Sequence, residues 1–385
     1  MATTNKLNRS ERWLLSILVL LPTYLIRFSI FGIPLNLLDI LIGCGFVHCV
    51  IYYRGIRVSP AYRIMAITFL LIGLVAIVVS DAKLDALGIY KSYLLAPILV
   101  GAMLQTIRPQ LQHILQALGW CVLFIGGVAA LQWLTGYGIP APWNVGGIDV
   151  RVTSIFEYPN AVGLLAAPIV AMSLAWLIHE QRQKLFFLVV ALVGTLAIGL
   201  SQSDGAVVAV VAALGFTLLF TRQRIVVMSI GVLVFAIALL LPPVKTVILL
   251  QDSSGEVRLA LWEGTLNLLR DRPIFGAGLA NFSTVYPEYK LDRHVEALLY
   301  PHNILLDFWV ELGLAGLVWL VCVLTRFFRR GLQGKKYRHH LVLMTGMVAM
   351  LVYGLVDVSY FKNDLAVVFW VLLALNDVLP NTRKE

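Results

Sequence analysis

Residues 300–320 read YPHNILLDFWVELGLAGLVWL. A Pro-His-Asn opening leads into an apolar run long enough to cross a bilayer, yet the run carries Asp307 and Glu311. The rest of the chain has the same apolar character. Of its 385 residues, 59% are hydrophobic and 13% charged, with mean hydropathy +0.85. Soluble domains carry about a quarter charged residues. This composition predicts an integral membrane protein. Apolar runs near 20 residues favour helices over barrel strands.

Window length predicts about twelve spans, near 13–33, 36–53, 62–80, 87–106, 111–134, 160–179, 185–200, 204–221, 224–244, 303–325, 341–360 and 363–379. The fold class expected is all-α, a polytopic helix bundle forming a single membrane domain over residues 1–385. The first run has no small-residue cleavage site and reads as a span, not a cleaved leader. Around SQSD (201–204) the pattern fits either a tight turn or a break within a hairpin.

Orientation follows from Lys and Arg. With the N-terminus in the cytoplasm, alternate connections read RGIRVSPAYR, RPQ, HEQRQK, TRQR and RFFRRGLQGKKYRHH, and the tail ends TRKE. These hold most of the 30 Lys and Arg. The net charge of +9 is therefore the mark of cytoplasmic loops and excludes a nucleic-acid partner. Both termini are expected in the cytoplasm, with membrane lipids as surroundings. The four cysteines all lie in apolar runs without metal-ligand spacing, which predicts buried inert thiols.

The opposite face receives two long connections, 245–302 and 135–159, and loops of such length usually carry function. In the first, Leu259, Trp262, Leu266 and Leu269 recur at helical spacing, which predicts a short amphipathic helix at the interface, ended by Pro273, Gly276 and Gly278.

Of the seven histidines, only His294 and His302 fall on this outer face. His302 directly precedes a helix and reads as a helix-capping or interface residue, or as a base. Asn303, Asp307 and Glu311 are spaced by four and share one helix face. Charge within a span is costly, so they should face the bundle interior or a wet cavity. Gly313 and Gly316 would allow close helix packing. Arg151 and Arg258 stand where loops return to the membrane, suited to phosphate oxygens or to snorkelling toward headgroups. Lys91 is a further anion contact or a snorkelling lysine. No DxD pair, P-loop, GxSxG or His-rich box is present. A metal site and a cofactor are not expected.

RVTSIFEYPNAVG, EVRLALWEGTLNLLRDRPIFGAGLANF and PHNILLDFWVELG, in that order across residues 150–315, resemble the O-antigen ligase and polysaccharide polymerase superfamily. Ser-Gln-Ser-Asp departs from the family's frequent Ser-x-Ser-Arg, which leaves the turn without a helper arginine. The resemblance implies a GT-C-like fold in the bacterial inner membrane. It also implies metal-independent, inverting transfer of a glycan from a polyprenyl (undecaprenyl) diphosphate carrier to a sugar hydroxyl of a glycan or lipid-linked acceptor, on the periplasmic side. His302 matches the catalytic histidine, and Arg151 and Arg258 match diphosphate-binding arginines. Glu157 and Asp307 are reserve candidates for orienting His302 or acting as base. A transporter or flippase is the competing reading; it would use the intramembrane charges Arg27, Asp307 and Glu311, and would require inverted repeats.

Overall fold

A computed structural model describes residues 7–30, 33–144, 150–222, 251, 253–292, 298–333 and 338–380, with isolated positions between 224 and 246. The expected span 224–244, the middle of the 135–159 loop at 145–149, and His294 lie outside this description.

The chain begins with α1 (Arg9–Val19), whose N-cap Asn8 accepts from the Glu11 N–H. The predicted first span, 13–33, is not one helix. Pro22 falls in a 3-10 turn, Leu21–Leu25, and the chain then forms a hairpin of β1 (Arg27–Ile30) and β2 (Ile33–Asn36) with Arg27 opposite Asn36. Proline has no N–H to continue the helix, so the apolar run turns back on itself. The hairpin also corrects a strictly all-α expectation. Arg27, read from sequence as intramembrane, stands exposed on β1.

Helices follow in the expected order: α2 (Leu37–Tyr53), α3 (Pro60–Val79), α4 (Lys83–Ile89), a π-helical segment (Tyr90–Leu95), α5 (Ala96–Ile107), α6 (Leu111–Thr135), α7 (Asn160–His179), α8 (Lys184–Leu200) and α9 (Asp204–Leu218). Ser59 caps α3 through the Tyr62 N–H with Pro60 in its first turn, a favoured opening. Beyond the undescribed stretch come α10 (Ser253–Asp271), the short α11 (Phe282–Val285), α12 (Ile304–Gln333), α13 (Arg338–Tyr353) and α14 (Asn363–Val378). Among the described residues, five helical stretches are long and apolar enough to cross a membrane: Pro60–Val79, Lys83–Ile107, Leu111–Thr135, Asn160–His179 and Ile304–Gln333. The architecture is that of a helical membrane protein.

α7 lies at the centre, packed against α8, α9 and α13, and α14 packs against α5. An aromatic cluster joins the two sides: Phe69 stacks on Trp319 at 4.1 Å between ring centres, and Trp370, Tyr360 and Phe308 surround them. Cys49 and Cys121 are buried, as expected; Cys44 and Cys322 instead lie on exposed helix faces.

Two departures from the sequence reading shape the site. The span expected at 341–360 stops at Tyr353, and residues 354–362 form a connector back to α14. The helix expected at 303–325 runs on to Gln333 but is broken at Gly313, which has φ +69° and ψ −175°. Gly313 is thus more than a packing glycine. The Leu314 N–H donates to the Ile274 carbonyl at 2.9 Å, and the N–H groups of Ala277 and Gly278 donate to the Val310 carbonyl at 2.9 and 3.2 Å. The Pro-x-x-Gly-x-Gly turn is therefore docked against the helix break. A Cβ on Gly313 would collide with the Ile274 carbonyl, and one on Gly276 with the carbonyls of Trp309 and Val310.

α10 is amphipathic, and its buried side matches the predicted one in part: Leu269 is buried and Trp262 half-buried. Leu261, Leu268 and Leu269 are buried with Phe282, Tyr286 and Val310, while Leu259 and Leu266 face outward.

Candidate active site

The site is made by connectors, and each is fixed by local chemistry. The 150–159 segment is drawn into the bundle by the buried amide of Gln132. Its Oε1 accepts the N–H groups of Thr153 and Ser154 at 3.0 and 2.7 Å, and its Nε2 donates to the carbonyls of Ser154 and Gly138. Arg151 sits just before this clamp. Its Nε donates to the Ser201 carbonyl at 3.0 Å, and its Nη2 donates to the Gln202 carbonyl and to Oδ1 of Asn160, each at 3.1 Å. The guanidinium lies 5.2 Å from the ring centre of Trp143. Desolvation pulls the Arg151 guanidinium below its ordinary pKa. The 201–203 segment is a turn between α8 and α9, and its carbonyls hold Arg151, a role the sequence did not disclose.

Asn160 opens α7 and connects the arginine to the next connector. Its Nδ2 donates to Oδ2 of Asp357 at 3.0 Å. Oδ1 of Asp357 lies 3.0 Å from Nδ1 of His302 and accepts the Val358 N–H at 2.8 Å. Arg258, on α10, donates from Nε to the carbonyl of Val356 at 2.8 Å, one residue from Asp357. The three residues singled out from sequence, Arg151, Arg258 and His302, thus meet around Asp357, which the sequence reading placed inside a span and passed over. Asn160 lies in the stretch RVTSIFEYPNAVG that carries the resemblance but was given no role of its own.

Asp357 is buried, which by itself would raise its pKa. The hydrogen bond and charge of His302, the Val358 N–H and the charge of Arg258 outweigh burial and hold the carboxyl below its usual range. A carboxylate facing Nδ1 favours the tautomer with its proton there, so Nε2 presents a lone pair. His302 has φ +54°, uncommon for a residue with a side chain. The conformation is held from both sides: the Pro301 carbonyl accepts from Trp262 Nε1 at 3.0 Å, and Ile304 N–H donates to the Gly354 carbonyl at 2.6 Å. Asn303 caps α12, its Oδ1 accepting the Leu305 and Leu306 N–H groups, and its Nδ2 donates to the Leu355 carbonyl at 3.0 Å.

The remaining sequence candidates are placed elsewhere or act otherwise. Lys91 pairs with Asp39 at 3.0 Å, in a cluster where Asp39 also accepts from Ser92 and Asn36. Glu157 is exposed, and Asp357, not Glu157 or Asp307, is the carboxylate on His302. Asp307 and Glu311 are both buried in the bundle interior. Glu311 Oε2 accepts the Ala280 N–H at 2.6 Å and so fastens the glycine turn to α12. Neither oxygen of Asp307 has a hydrogen-bond partner among the described residues.

Residues 187–321 match the family described as O-antigen ligase. Over this segment, about a third of the chain, the protein is similar to the O-antigen ligase family. The matched residues include Arg258 and His302, whereas Arg151, Asn160 and Asp357 lie outside them. A Rickettsia conorii protein whose name proposes it as a polysaccharide ligase is 23% identical over 133 residues, 32% of this chain and 31% of that relative. The similarity thus spans about a third of the relative's length.

Proposed function

We propose that this protein is a member of the O-antigen ligase superfamily and transfers a glycan from a polyprenyl diphosphate carrier, undecaprenyl diphosphate in a bacterial inner membrane, to a sugar hydroxyl on the extracytoplasmic face. The observation that carries the reading is the hydrogen-bonded series Arg151–Asn160–Asp357–His302, with Arg258 on the adjoining carbonyl. The Lys and Arg bias of alternate connections supports a topology with both termini in the cytoplasm and this cluster on the outer face.

The acceptor hydroxyl is a poor nucleophile until its proton is taken. Nε2 of His302 receives that proton, and Asp357 stabilises the imidazolium that forms. The acceptor oxygen bonds to the anomeric carbon as the bond from that carbon to the diphosphate oxygen breaks. Displacement from the opposite side inverts the anomeric centre. The bonding pair leaves on the diphosphate, which needs charge stabilisation and no general acid. Arg151 and Arg258 supply it: each is held through Nε, and among the described residues Nη1 of Arg151 and both terminal nitrogens of Arg258 make no other hydrogen bond and can reach phosphate oxygens. The reaction in this form requires no metal. A base of this kind contributes about 10²- to 10⁴-fold in rate.

The test is incubation of the purified protein with a polyprenyl diphosphate-linked glycan and an acceptor glycan, with and without a chelator. Mass spectrometry should find transfer, inverted linkage and free polyprenyl diphosphate in both arms. Collapse on chelation would overturn the metal-free mechanism. Failure with every lipid diphosphate donor would overturn the donor class.

A further inference from the structure

At the far end of α12 from His302, a groove of about 520 Å³ runs along one helix face. Its lining changes character along the axis. Val321, Cys322 and Thr325 form the part toward the middle of the helix, and Arg326, Arg329 and Arg330 the part toward its end. Positions three and four apart lie on one helix face, so the apolar part and the arginines form one continuous surface. Because α12 is long and apolar enough to span, the apolar part lies at acyl-chain depth and the arginines at the headgroup level.

The arginines are unequally used. Arg326 pairs with Asp377 at 2.6 Å, and Arg330 is spent on the carbonyls of Asn376, Asp377 and Leu379. Arg329 is exposed, and no carboxylate pairs with it among the described residues. Among the described residues, three guanidinium groups stand against the carboxylate of Asp377, which leaves the groove positive beside a surface that fits an alkyl chain. We infer that this groove binds an anionic phospholipid of the leaflet opposite His302, its phosphate on Arg329 and its acyl chain over Val321 and Cys322. The site is independent of the glycan chemistry at the other face. Arg326 and Arg330 are held in place by Asp377 and the α14 carbonyls, so the headgroup meets a preformed cationic ledge.

Native mass spectrometry of the full chain in detergent, supplied with equal phosphatidylglycerol and phosphatidylcholine, tests this. Phosphatidylglycerol should be retained in preference. Arg329→Gln should reduce that preference about fivefold, the share carried by one basic residue beside an anionic headgroup. Val321→Trp, which fills the apolar part, should lower phosphatidylglycerol retention while thermal melting stays near that of the parent protein. Equal retention of the two lipids, or an unchanged preference in Arg329→Gln, overturns the site. Displacement of phosphatidylglycerol by millimolar inorganic phosphate shows a free-anion site and overturns the lipid assignment.

Discussion

The carboxylate of Asp357 stands 3.0 Å from Nδ1 of His302, although 55 positions separate the two residues in the chain. The contact joins the connector before α14 to the connector before α12. It makes Asp357 a positioning residue for the imidazole and gives it a role distinct from that of the groups meeting substrate.

Asp357→Asn should therefore lower kcat by about 10- to 100-fold, as loss of an outer partner of a functional histidine commonly does, with little change in donor KM. A steady-state kcat and KM split against the purified donor measures this. An increase in KM alone would mean that Asp357 shapes the donor pocket instead.

His302→Ala should remove transfer almost entirely. The protein should still melt as one cooperative species, because the Pro301 and Ile304 backbone contacts do not use the imidazole. Retention of parental turnover would reassign the base.

Arg258→Lys keeps the charge but cannot hold the Val356 carbonyl and a phosphate oxygen together. The expected loss in donor kcat/KM is about 1.5–3 kcal/mol, the range for a hydrogen bond to a charged group. Arg151→Lys should behave alike, since its Nε and Nη2 are committed to the 201–202 carbonyls and Asn160. Parental kinetics in both lysine variants would show that neither guanidinium meets the donor.

Acid should erase one part of the stability. The folded state holds the Asp357 carboxyl below its ordinary value, near 4 in an unfolded chain. Its ionised form thus stabilises the fold fully above that value, and the contribution disappears as pH falls through the depressed one. The melting difference between parent and Asp357→Asn should be constant at neutral pH and shrink toward zero in acid. A difference that grows on acidification contradicts this sign.

Gly313→Ala should destabilise by about 1–3 kcal/mol through its left-handed φ, with a further cost from the clash against the Ile274 carbonyl. Gly127→Ala, in the middle of α6 with open space around the added carbon, should be neutral or mildly stabilising. Equal melting of the two variants would show that the break carries no backbone constraint.

Much of this arrangement could be read from the chain. Helices such as α3, α6, α7 and α8 follow from uninterrupted apolar runs, and His302, Arg151 and Arg258 stood out because each lies where an outer-face loop returns to the membrane and within a motif that resembles the family. Asp357 did not stand out. It follows LVYGLV in an apolar stretch, and only the folded positions of His302 and Asn160 distinguish its carboxylate from an interior span charge. The single helix expected over 13–33 failed for the opposite reason: hydropathy counts residues and does not register that Pro22 turns the chain. The buried face of α10 depended on α11 and the glycine turn, which pack on it, and only in part on its own periodicity.

The break at Gly313 divides α12 into two struts. The upper one, Ile304–Leu312, is nine residues long, about 13 Å at the helical rise. Asn303 pins its top to the 354–362 connector and the glycine turn pins its foot. The height of the imidazole above the break is thus set by this short post and not by the longer strut below it.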